Sequence, residues 1–230
     1  MDTPAAANEI RAGRAVRCAE NNLTKIERPF YFEGMTKGED TKTMILSTGL
    51  EMASQLGLEN VTIGELAKAT GMSKSGLFAH FASKENLQIQ ILDHAGRLFA
   101  AQVIQPALLV PAGAGRILAL FDNWIAWSAG LKGGCIFVTA SSDFKDRPGN
   151  VRAFLLKQQQ DWLACLRRVA ESAVKAGDFR PDIDAAQFAF EMYSLLLGVH
   201  LYDKLLNSAD IDARQRAGLE KLLGNYGYRP

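Results

Sequence analysis

Within this 230-residue chain, the side chains best suited to act on a partner are gathered in one run. From Met72 to Lys84 it carries Lys74, His80 and Lys84 with the hydroxyls of Ser73, Ser75 and Ser83, and no acid. That set suits a polyanion, because the cations neutralise phosphates and the hydroxyls add uncharged contacts. Catalytic chemistry has thinner support. There are only three histidines, no HExxH motif and no phosphate loop. Cys135 has no His and acid partner in a recognisable frame, so its thiol reads as a small buried side chain rather than a nucleophile. No catalytic residue, metal ligand or cofactor is therefore expected.

The flanking residues supply the elements that must hold this run in place. Thr62 precedes Ile63, Leu66 and Ala67, a short apolar face at helical spacing, and Glu65 stands three residues on, as a capping box requires. This helix should close at Gly71, because glycine takes the left-handed conformation at little cost. Ser73 then caps a second helix, which buries Leu77 and Phe81, four residues apart, and turns Lys74, Ser75, Gly76 and His80 outward. Ser83 caps a third. Two short helices around a glycine turn form a helix-turn-helix unit, whose second helix enters the DNA major groove. In that setting Lys74 and Ser75 lie nearest base edges, Gly76 allows close backbone approach, and Phe78 and His80 support the docking. The alternatives are plain packing for Phe78 and a helix-end cap for His80. Thr62 completes the candidate DNA-binding set.

Gly71, Ser73, Gly76, Leu77, Phe78, His80, Phe81, Lys84, Glu85 and Leu87 together resemble the DNA-binding signature of the TetR family of bacterial transcriptional regulators. The likeness is close over this unit and only in outline beyond it. It implies an all-α chain: an amino-terminal three-helix DNA-binding domain over 38–85, and a helical ligand-binding and dimerisation domain over 86–230. Residues 1–37 precede the module as an extension. By the same resemblance Lys84 anchors a phosphate, and the tilt of the helix it opens sets the distance between two reading heads. The stretch Gly133 to Gly149 is similar to one in a subgroup of these regulators, where it runs into the longest helix of the ligand domain.

Composition narrows the partners. With 48% apolar and 22% charged residues the chain is an ordinary soluble globular one. Its net charge of +1 means that any DNA contact is local: residues 37–87 hold five lysines against six acids. One copy should bind moderately and rely on a second. Cys18, Cys135 and Cys165 are widely spaced without a CxxC pair, which fits reduced thiols in the cytoplasm. No run of 18 apolar residues and no secretion signal offers a membrane role.

Taken in order, Arg11, Arg14 and Arg17 recur every three residues in the extension, either as a solvated face or as a basic arm over DNA, and Met35 offers an alternative start. Glu39 to Leu56 forms an amphipathic helix on Ile45, Gly49, Met52, Ala53 and Leu56, capped by its own acids Glu39 and Asp40 and closed by Gly57. Leu87, Ile91, Ala95, Leu98 and Gln102 trace a long helix ending before Pro106, with His94 solvated or in the core. A break from Pro106 to Gly115 follows; its Gly113-Ala-Gly115 lacks the strand and third glycine of a dinucleotide loop. Phe121, Trp124 and Trp127, with Phe137, Trp162, Met192 and Tyr193, are candidates both for core and for a ligand pocket between helices. Cys135 to Thr139 reads as helix or coil, since no second strand can pair with it. A long helix then ends at Gly177, and the next opens at Pro181 and Asp182. That helix is apolar on several sides, so one side should face a second copy. Phe188, Leu195, Gly198, Val199 and Tyr202, with Leu219 and Leu222 from a helix over Asp210 to Leu223, are the expected dimer interface. Gly224 to Pro230 reads as a tail.

These features predict a ligand-responsive transcriptional regulator, most simply a repressor, that binds a pseudo-palindromic operator as a homodimer and is released by a small molecule. A DNA-binding regulator without ligand response and an all-helical enzyme are the alternatives.

Overall fold

The computed structural model describes residues 37–229, and every regular element within them is a helix. The expectations for the extension, including Arg11, Arg14, Arg17 and Cys18, lie outside the described residues. Helix α1 (Lys37–Leu56) buries Ile45, Leu50 and Ala53. Gly49 lets it lie directly on the helix behind it, since a Cβ there would stand 2.8 Å from Ile91 Cδ1. Leu56, expected on the apolar face, is exposed instead because the chain turns away at Gly57, φ 83°, into a 3₁₀ turn over Leu58–Asn60.

Helices α2 (Ile63–Thr70), α3 (Lys74–Phe81) and α4 (Lys84–Phe99) follow with the expected caps. The Oγ atoms of Thr62, Ser73 and Ser83 accept the backbone N–H of Glu65, Gly76 and Asn86, each at 3.1 Å. Gly71 closes α2 at φ 69°. The capping box is one-sided: the Glu65 carboxylate pairs with Lys68 at 2.9 Å rather than reaching back to Thr62.

Past Phe99 the long helix departs from expectation. It does not stop before Pro106 but widens into a π-turn over Ala100–Ile104 and resumes as α5 (Gln105–Leu109). Pro106 sits in the first turn of α5, where its missing N–H costs least. The wider turn also moves the buried stripe. Leu87, Ile91, Ala95, Phe99, Val103 and Ala107 face inward, while Gln102 is exposed.

Helices α6 (Ala114–Gly130), α7 (Ile136–Phe144), α8 (Asn150–Ala176), α9 (Ala185–Lys204) and α10 (Ile211–Asn225) complete the bundle, with α8 against α9 and α10 on α9. Cys135 to Thr139 enters α7, as helix. Helix α9 opens at Asp184, not at Pro181 and Asp182; its carboxylate accepts from the N–H groups of Ala186 and Gln187. Nor is the carboxyl end a loose tail up to Tyr228. Tyr226 is 7% exposed, stacks on Phe179 and Phe188, and donates its hydroxyl to Glu191.

The reading unit is seated on the later helices by close contacts. Gly133, in the α6–α7 turn, lies so near the Ser54 carbonyl of α1 that no Cβ would fit. One apolar core runs without a break from Ile45 to Leu223.

Candidate DNA-reading surface and effector cavity

On α3 the sequence places its apolar residues inward and its polar ones outward. Leu77 and Phe81 are fully buried, while Lys74, Ser75, His80 and Phe78 are exposed, Phe78 to 58%. Phe78 is therefore not a core residue of the protomer. His80 stands 6.1 Å from the Phe81 ring, and its own ring makes no hydrogen bond to a helix-end carbonyl among the described residues. Ser73 and Ser75 share a hydroxyl contact of 3.2 Å. A Cβ added at Gly76 would meet only Ser73 Oγ, at 3.1 Å, so the outer side of α3 there is open. Lys74 leans on the amino end of α2, with Nζ 3.8 Å from where a Gly64 Cβ would stand. That position, beside Thr62 and the partial positive charge of a helix start, suits a phosphate oxygen as well as a base edge.

Lys84 is not free. Its Nζ lies 2.9 Å from Glu59 Oε1, which Arg147 Nη1 also reaches at 3.0 Å. Gln88 donates to the other oxygen at 3.4 Å and to the Leu58 carbonyl at 3.1 Å. The Lys84 hydrogen bond, more than any other contact, holds the Glu59 carboxyl below the usual range. Arg147 belongs to the α7–α8 connection and Asn150 opens α8, where its N–H donates to Glu85 at 3.3 Å. No local pattern foretells this cluster, because Glu59, Arg147 and Asn150 belong to no motif and reach Lys84 and Glu85 across 25 to 65 residues and more.

Behind the reading unit a cavity of about 410 Å³ opens between the α4–α5 segment, α6, α7, α8 and α9. Of the seven expected pocket residues, Trp124, Phe137, Trp162 and Tyr193 line it. Phe121, Trp127 and Met192 do not; they are buried in the packing around it. The central ring was missed. Phe99 meets Trp127, Phe137 and Trp162 edge to face, with centroids 5.1 to 5.8 Å apart. The π-turn just after it contributes Ala100 and Ile104 to the wall, and such turns recur at functional sites. Gln159 is fully used: its amide donates to Phe137 O and Ser141 Oγ and accepts from the Tyr193 hydroxyl at 2.7 Å. Burial raises the pKa of that phenol and those of the Cys135 and Cys165 thiols, so all three stay protonated near neutral pH. The described residues hold no cluster able to bind a metal ion, and none of their helices is long and apolar enough to cross a membrane.

The expected dimer set divides. Phe188 and Leu219 are fully buried in the protomer and Leu222 nearly so, so they present nothing to a second copy; Phe188 packs on Phe179 and Tyr226. Val199 is 6% exposed. Leu195, Gly198 and Tyr202 border an open groove between α9 and α10, and nothing lies within 4 Å of a Cβ at Gly198. The outward stripe of α9 is instead Phe190, Leu197 and Leu201, continued by Leu205 just past its end.

An all-helical chain with a helix-turn-helix reading face and a helical bundle behind it is the architecture of a DNA-binding regulator. Residues 45–90 match the model of bacterial regulatory proteins of the tetR family, and residues 113–219 match that of the tetracyclin repressor-like C-terminal domain. The chain belongs to the TetR family of transcriptional regulators. It is 26% identical over 175 residues to the transcriptional repressor NemR of Escherichia coli strain K12, covering 74% of this chain and 86% of that one. Among solved structures it resembles a TetR-family regulator from Cytophaga hutchinsonii, with TM-score 0.73, 20% identity and coverage of 85% and 99%. It also resembles AibR, solved with isovaleryl coenzyme A and operator DNA, with TM-score 0.61, 21% identity and coverage of 81% and 98%.

Proposed function

We propose that this regulator is a cytoplasmic homodimeric repressor that binds a pseudo-palindromic operator and leaves it when a small molecule fills the cavity. The observation that carries the reading is the outer face of α3, where Lys74, Ser75, Phe78 and His80 stand exposed over buried Leu77 and Phe81. Two such faces about a two-fold axis would meet half-sites roughly 34 to 36 Å apart, or a multiple of that. Ser75 and Lys74 would meet base edges, His80 and Phe78 would fix the approach, Thr62 would cap α2 beside the DNA, and Lys84 would hold a phosphate once Glu59 releases it. The cavity supports an effector role, since its wall includes the helix that opens at Lys84. A ligand favouring one tilt of that helix would shift the dimer between states, with a coupling of about 1–3 kcal/mol, or roughly 5- to 150-fold in operator affinity.

Quantitative operator binding of folded variants tests this. Lys84→Ala should weaken binding to all sequences and lower the salt slope by about one unit, whereas Lys74→Ala should also change which operator is preferred. If both variants bind as the parent does, α3 is not the reading helix.

A further inference from the structure

The cations at the start of α4 do not all belong to the reading unit. Arg147, in the connection between α7 and α8, brings Nη1 to 3.0 Å from Glu59 Oε1, the same oxygen that Lys84 Nζ meets at 2.9 Å. One anionic group is therefore within reach of both. The two cations hold that oxygen differently. Lys84 donates a hydrogen bond to it, whereas the Arg147 side chain makes no hydrogen bond among the described residues and touches Glu59 as an ion pair only. Its planar set of N–H donors is thus uncommitted, on a side chain 55% exposed. The neighbours of Arg147 fix its place. Before it, Phe144 is buried, and Asp143 lies against the turn that follows α1, where a Cβ at Gly57 would stand 2.9 Å from Asp143 Oδ2. After it, the Asn150 N–H donates to Glu85, the residue next to Lys84. Pinned on both sides, the connection presents Arg147 beside the amino end of α4 with little ordering left to do on binding. From Lys145 to Arg152 it carries three cations and one acid, a local balance that suits a polyanion.

Resting on the reading of α3 and Lys84 as the DNA-binding face, we propose that Arg147 binds an operator phosphate beside Lys84, so that the DNA footprint extends from the reading unit into the C-terminal domain. In the free protein the Glu59 carboxylate stands in the place of that phosphate, an anion whose oxygen meets both cations. Exposed ion pairs of this kind are worth little, whereas an arginine grips a phosphate through two parallel N–H bonds. The exchange therefore favours the DNA. Gln88, bonded to the other oxygen of Glu59 at 3.4 Å, still holds that carboxylate once the cations turn away. A purely structural role, in which Arg147 only ties the C-terminal domain to Glu59, makes different predictions.

Fluorescence anisotropy of the full-length protein on a duplex enriched from a random DNA pool, between about 50 and 200 mM salt, separates the two. Arg147→Gln should weaken binding to the enriched duplex and to unrelated DNA alike, by about 5-fold or more at the low-salt end, and should lower the salt slope by about 0.9 per protomer. Arg147→Lys, which keeps the charge without the planar fork, should hold the slope while losing part of the affinity. In a Glu59→Gln background, where no carboxylate is left to hold, Arg147→Gln should cost the same affinity and the same slope. A slope unchanged in Arg147→Gln would overturn the proposal. So would a loss that disappears in the Glu59→Gln background, since Arg147 would then act only on Glu59. Lys84→Ala, run alongside, keeps this result apart from the reading it rests on. If Lys84→Ala lowers the slope and Arg147→Gln does not, the reading face stands and the wider footprint falls; if neither changes binding, both fall.

Discussion

His94 shows how a single side chain records the seating of the reading unit. It lies on α4 facing α1, 7% exposed, with Nε2 3.0 Å from Ser47 Oγ. Burial pushes its pKa below the usual value; Arg97 adds to the shift and Asp93 opposes it. His200 shifts the same way, by burial and then by Lys204, and its buried Nε2 has no hydrogen-bond partner among the described residues. A depressed folded-state pKa means that the unfolded chain binds the proton more readily. The contribution to stability is therefore full above about pH 6.5 and is lost as pH falls below it, with a slope of at most about 1.4 kcal/mol per pH unit for each histidine. Urea unfolding between about pH 5 and pH 8 should show stability falling on the acid side, and His94→Gln should flatten part of that fall. An equally steep fall in the variant would mean that the neutral His94–Ser47 contact plays no part.

Among the elements, the α7–α8 connection and the turn before α2 meet on Glu59, where Arg147 and Lys84 share one carboxylate oxygen at 3.0 and 2.9 Å. These are exposed pairs, so their value lies in where they hold Lys84 rather than in stability. Glu59→Gln removes the carboxylate that competes with a DNA phosphate. Operator affinity without ligand should rise several-fold, and the salt slope should steepen by up to about one unit; an unchanged slope would separate Lys84 from the DNA. How much of this the sequence could reveal follows the range of each signal. Thr62, Gly71, Ser73 and Ser83 act within four residues of themselves, so their caps were legible. Phe99 was not, because Leu98 and Phe99 lie three and four residues after Ala95 and both spacings fit one helix face, whereas the exchange of Gln102 for Val103 falls inside the π-turn, which departs from the ideal spacing. Glu59 and Arg147 meet only through the fold. On α9, periodicity showed too many apolar faces without saying which one α8 and α10 cover, and so it chose Phe188 where the structure turns Phe190 outward.

At the scale of the whole molecule, that outward stripe sets the expected assembly. Phe190, Leu197, Leu201 and Leu205 are 64%, 38%, 48% and 70% exposed, with Leu206 and Tyr202 beside them at 54% and 43%. A contiguous apolar surface of this kind marks an interaction site, and a self-complementary patch gives a two-fold dimer. On the proposed homodimeric reading, the weak local charge of the reading face would make the second copy necessary for tight operator binding. Leu201→Asp combined with Leu205→Asp should give a folded monomer by analytical ultracentrifugation, with near-parental melting and operator binding reduced to the level of non-specific DNA. Leu219→Ala makes the opposite prediction, since Leu219 is fully buried in the protomer: it should lose about 2–5 kcal/mol of stability through the cavity it leaves. At temperatures where it stays folded, it should still dimerise. Persistence of the dimer in the double aspartate variant, or a folded monomer from Leu219→Ala, would move the interface off the outward face of α9 and back to the residues that periodicity favours.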